Sequence, residues 1–147
     1  MKKYIAFSVL FIIVQGAIAQ SEVFATIEGA INGYDVVSYF TDGKPVIGKK
    51  ENSFVWKDEN WYFSSQENLK SFKSNPEKFA PQFGGYCAYG MSRGYKAKTE
   101  PDAWTIIDGK LYLNYNLDVK KIWGEKRSEF IDKATQNWPS VKSSKMK

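Results

Sequence analysis

Histidine is absent from this sequence and cysteine occurs once, at Cys87. The first absence removes the commonest general base and the commonest metal ligand together. Ser-His-Asp and Cys-His catalysis are thereby excluded, as are His-rich zinc or copper sites. A single cysteine forms no intrachain disulfide, so the fold must be held by its core. Long apolar runs are also missing after the first nineteen residues, and nothing there approaches the roughly 20 residues that a membrane-spanning helix needs. Nor is there a basic stripe. The formal charge of +5 includes Lys2 and Lys3 at one end and Lys142, Lys145 and Lys147 at the other. That pattern reads as a solvated terminus, with no nucleic-acid partner.

What is present begins with a three-part leader. Met1-Lys2-Lys3 is basic, Tyr4 to Val14 is almost unbroken apolar sequence, and Ala17-Ile18-Ala19 offers small residues at −3 and −1. This predicts a signal peptide over 1–19, export to the periplasm or medium, and Gln20 as the first mature residue. No cysteine follows the cleavage point to carry a lipid, and no integral membrane segment remains after cleavage. The rest divides into a loose lead-in over 20–26, one domain over 27–138 and a basic flexible tail over 139–147.

Within the domain, Ala30 to Phe40 reads as a short strand or an ordered loop. Ser53-Phe54-Val55-Trp56 and Trp61-Tyr62-Phe63 read as a hairpin. Ser64 and Glu67 form a capping-box pattern for a short helix that carries Leu69 and Phe72 and stops at Asn75-Pro76. Gln82 to Gly94 has four glycines and three aromatics and reads as a tight, partly buried loop. Asp108-Gly109 between two β-prone runs predicts a second hairpin. Leu117 to Trp138 reads as helix broken at Gly124, with Val119, Ile122, Trp123, Phe130, Ile131 and Ala134 buried. The sum is a small α+β single domain with two β-hairpins and C-terminal helices. Trp56, Tyr62, Phe63, Leu69, Phe72, Phe79, Trp104, Ile106, Leu111, Leu113, Ile122 and Trp123 are expected to share one core.

Several of these stretches, taken together, resemble a known family. They are Gly33 to Phe40, Tyr62-Phe63-Ser64-Ser65, Phe72 with Asn75-Pro76-Glu77-Lys78-Phe79, Gly84 to Tyr89, and the blocks Ala103 to Ile106 and Leu111 to Asn116. The chain resembles the YHS domain, in particular the exported stand-alone YHS proteins of bacteria. The resemblance implies a treble-clef-like core. It also implies a metal site built from one cysteine shortly after the first Asp and two more where hairpin meets helix. In this sequence those positions read Ser38, Ser64 and Asn68. All three thiols are absent, so the resemblance implies the fold while its thiolate metal site is missing.

Two candidate sites follow from the residues themselves. Cys87 is either an inert packing thiol, an intermolecular disulfide partner, or, with Met91 four residues on, a soft-metal site suited to a copper ion. Tyr34, Asp35, Tyr39, Tyr86, Tyr89 and Arg93, with Tyr95, are read as the lining of a small polar-rimmed ligand pocket. Asp35 alternatively fixes a turn through its own backbone amides. The favoured function is an exported binding module for a metal ion or small ligand. The rival is a thiol-redox or enzyme-accessory protein acting through Cys87.

Overall fold

The Asp108-Gly109 pair forms the expected hairpin. Both residues adopt positive φ (50° and 73°), the combination a two-residue turn between twisted strands requires. It joins β5 (Trp104–Ile107) to β6 (Lys110–Leu113). The computed structural model describes residues 20–146, so the expected signal peptide lies outside the described residues. Within them stand β1 (Ala25–Thr26), β2 (Gly29–Ala30), α1 (Ser38–Thr41), β3 (Lys49–Trp56), β4 (Glu59–Phe63), α2 (Gln66–Ser74) and α3 (Pro76–Phe79). They continue with α4 (Ala88–Ser92), the β5–β6 hairpin, α5 (Leu117–Glu125) and α6 (Arg127–Val141). The strands form three separate antiparallel pairs, β1-β2, β3-β4 and β5-β6, one more hairpin than the sequence predicts. Among the described residues no helix is long and apolar enough to cross a membrane.

Strand β6 divides the interior in two, because successive strand residues point to opposite faces. Leu111 and Leu113 join one cluster, built around Trp61, Phe63, Phe72, Tyr39 and Phe79. Tyr112, between them, joins the other, with Phe24, Phe83, Tyr86, Met91 and Trp123. Of the residues expected to share one core, Trp56, Phe63, Leu69, Phe72, Phe79, Trp104, Ile106, Leu111 and Leu113 do so in the first cluster, whereas Trp123 packs in a second cluster across the shared strand. Phe72 centres the first: ring centroids of Phe54, Trp56, Trp61 and Phe63 lie 5.0–6.3 Å from its own. In β4 the inward residues are Trp61 and Phe63, while Tyr62 stays on the outer face as the alternation demands.

The other differences share a physical cause, local pattern overridden by tertiary packing. The lead-in is ordered: Val23 and Phe24 are buried, and Ala25–Thr26 pairs with Gly29–Ala30. Ala30 to Phe40 holds a 3-10 turn over Ile31–Gly33 and helix α1, with no long strand. Gln82 to Gly94 likewise contains a 3-10 turn over Gln82–Gly85 and helix α4. The C-terminal break falls at Lys126, whose backbone leaves helical angles, while Gly124 stays inside α5. Ile122 is exposed. Helix α6 runs through Pro139 to Val141, which is buried against the second cluster, so order extends past residue 138 into the expected tail.

Candidate functional site

Asp35 is fully buried, between the 3-10 turn and α1, and its carboxylate is the focus of a closed polar knot. Oδ1 accepts the backbone N–H of Val37 at 2.9 Å and of Ser38 at 3.4 Å, the turn-fixing role that is the alternative to pocket lining. Oδ2 accepts the Ser64 N–H and the Ser64 hydroxyl, both at 2.7 Å, and the Asn68 amide Nδ2 at 2.8 Å. Asn68 Nδ2 also lies 3.3 Å from Ser64 Oγ and 3.5 Å from Ser38 Oγ, and the two serine oxygens are 3.5 Å apart. Ser64 is thus not the helix cap. Ser65 is, accepting the Asn68 backbone N–H at 3.1 Å. Moving the cap one residue on frees Ser64 to face Asp35.

This juxtaposition comes from three elements: the start of α1, the end of β4 and the first turn of α2. Residues 37–83 match the family model of the YHS domain. The matched segment holds Ser38, Ser64 and Asn68, which the resemblance aligns with metal-binding thiols, within hydrogen-bond reach of one another. Neither the curated proteins nor the solved structures returned a match. The donor chemistry of the knot does not fit a soft ion. Neutral hydroxyls and an amide replace thiolates, and around Oδ2 it is N–H and O–H groups, not lone pairs, that point inward. Among the described residues no three His, Cys, Asp or Glu side chains cluster to hold a metal.

Cys87 lies outside the matched segment, at the start of α4, 1% exposed. Its thiol donates to Asn114 Oδ1 at 3.6 Å and its sulfur accepts the Gly90 N–H at 3.4 Å. Burial pushes the thiol pKa up, partly offset by backbone N–H groups of Gly90, Tyr115 and Tyr89. A redox thiol needs the opposite, an accessible sulfur with a lowered pKa. Met91 is buried in the second cluster. We therefore expect Cys87 to react with Ellman's reagent only on global unfolding. Labelling of the native protein at the rate of a free thiol would overturn that expectation.

The proposed tyrosine-lined pocket does not assemble. Tyr39 belongs to the first cluster and Tyr86 to the second. The Tyr39 hydroxyl donates to Pro101 O at 3.0 Å, and burial raises its pKa. The Tyr86 hydroxyl donates to Ser21 O at 2.9 Å, and burial pushes its pKa up to about 12. Tyr89 packs edge-on against Phe130, Tyr34 is half-buried and paired with Ile47, and Arg93 is exposed. The side chains of Tyr39, Tyr86 and Tyr89 are spent on packing and loop fixation.

Two features have no counterpart in the sequence reading. Lys96 is fully buried, its ammonium 3.0 Å from Ser21 O and 4.7 Å from the centroid of the Tyr86 ring. Burial lowers its pKa, while Glu22 raises it. A cavity of about 150 Å³ is lined by Trp56, Trp61, Trp138, Glu22 and Glu77. Its members come from four distant stretches, so no local motif announces it.

Proposed function

We propose that this protein is a non-enzymatic binding module that works after export and takes a small ligand in place of the metal ion of thiolate-bearing YHS domains. One observation carries the reading: the aligned positions Ser38, Ser64 and Asn68 converge, the Ser64 hydroxyl and Asn68 amide donating to Asp35 and the Ser38 hydroxyl meeting the other two side chains. A knot of this kind preserves the junction of α1, β4 and α2 without a cation. Residues 1–19 support export through the order of basic, apolar and small residues.

The test combines native mass spectrometry and elemental analysis of protein purified from its own compartment with Cu(I) and Zn²⁺ competition titrations. We expect a chain beginning at Gln20, no stoichiometric metal, and a co-purifying small molecule. Any Cu(I) affinity should disappear in Cys87→Ser and persist in the Ser38/Ser64/Asn68 triple alanine variant, since thiolate is the strongest soft ligand the chain offers. Tight metal binding that survives Cys87→Ser and is lost in the triple variant would overturn the proposal.

A further inference from the structure

The cavity beside the tip of the β3–β4 hairpin combines indole surface with carboxylates. Trp61 lines it from within at 1% exposure, and Trp56 and Trp138 are half-buried beside Glu22 and Glu77. Lys57, at the hairpin turn, lays its ammonium 4.5 Å from the Trp56 ring centroid and 3.5 Å from Glu77 Oε1. The chain's own cation thus occupies the place where indole face and carboxylate meet, which is the chemistry of ammonium recognition. The adjoining groove is lined by Glu22, Lys57, Asp58 and Glu59. Across both openings the carboxylates Glu22, Asp58, Glu59 and Glu77 outnumber the lysines that answer them, Lys57 and Lys142, the latter 3.3 Å from Glu22. Lys96 also acts on Glu22, but its ammonium is committed to the Ser21 carbonyl.

We infer that this cavity binds a small organic cation, an ammonium or methylated ammonium group, with Lys57 as a displaceable internal occupant. The inference rests on the small-ligand reading above and names the chemical class. Its physical basis is asymmetry. The Lys57–Glu77 pair is exposed, with side chains 43% and 74% accessible, and such pairs contribute little while ordering a long flexible stem. A compact cation has no such stem, and sinking toward Trp61 and Trp138 it gains aromatic contact that Lys57 does not show.

The experiment is a titration with choline and with its neutral isostere 3,3-dimethylbutan-1-ol, followed by tryptophan fluorescence and indole N–H resonances. Wild type, Lys57→Met, Glu77→Gln and Trp56→Leu are compared. Choline should bind saturably, and Lys57→Met should tighten it by roughly three- to tenfold by removing the competitor. Glu77→Gln, on an exposed side chain that leaves the fold intact, should weaken it by about two- to fivefold. Trp56→Leu should weaken it further, and the isostere should bind at least about tenfold less tightly than choline. Equal binding of the two probes, or no saturable response in Lys57→Met, would overturn the inference. If native mass spectrometry also finds an uncharged small molecule, the cation assignment fails and the binding-module reading stands. If it finds none, both fail.

Discussion

Replacing Asp35 with alanine should destabilise the protein by about 3–5 kcal/mol, read from urea unfolding followed by tryptophan fluorescence. The carboxylate accepts three backbone N–H groups at 2.9, 3.4 and 2.7 Å, a hydroxyl at 2.7 Å and an amide at 2.8 Å in a site with no exposure. Each buried donor left without a partner costs about 1–3 kcal/mol, and water entering the space recovers part of the sum. Asp35→Asn should retain more than half of the loss, because its NH₂ group meets the donors of Ser64 and Asn68 or leaves those of Val37 and Ser38 unmatched. A loss below about 1 kcal/mol for Asp35→Ala would mean that the knot does not hold α1, β4 and α2 together.

The second large effect is expected at Gly84. Its φ of +64° favours glycine, and an added Cβ would stand 1.7 Å from the Glu22 carbonyl oxygen and 3.3 Å from the Trp138 ring. That oxygen belongs to main chain and moves only with the lead-in, whose Phe24 N–H donates to Gly84 O at 2.8 Å. Gly84→Ala should therefore cost about 3–4 kcal/mol in the same assay, strain and the lost hydrogen bond together. It should also expose residues 20–24 to limited proteolysis, since Val23 and Phe24 lose the surface that buries them. Gly109→Ala is the control. It shares positive φ, but its Cβ meets nothing within 4 Å, so only the backbone penalty applies. Equal losses at the two glycines would show that the close approach of Glu22 plays no part.

Much of the architecture was legible where a signal is local. The turn chemistry of Asp108-Gly109, the pairing of the aromatic runs in β3–β4, and Asn75-Pro76 ending α2 all appear where expected. Local cues misled where two neighbours have the same chemistry. Ser64 and Ser65 are equally good caps on paper, and packing against Asp35 decides between them. Gly124 looked like the helix breaker, yet it is exposed in α5 and tolerated there, and the break falls on Lys126. The tyrosine set failed for a related reason: a shared residue type says nothing about a shared location, and β6 separates Tyr39 from Tyr86.

By itself the sequence determined the chemistry that is excluded. Zero histidines and one cysteine rule out whole classes of mechanism whatever the fold, because no arrangement supplies a missing functional group. It also determined the Asp108-Gly109 turn and the absence of cysteine at Ser38, Ser64 and Asn68, where the resemblance implies thiols. The tertiary structure decided what replaced them: a buried carboxylate whose oxygens draw in two serines and an amide from three elements. It decided as well that Cys87 is enclosed and that Glu22, Trp56, Glu77 and Trp138 surround one cavity. These are long-range outcomes, set by how two clusters pack across a shared strand, and no window of local sequence contains them.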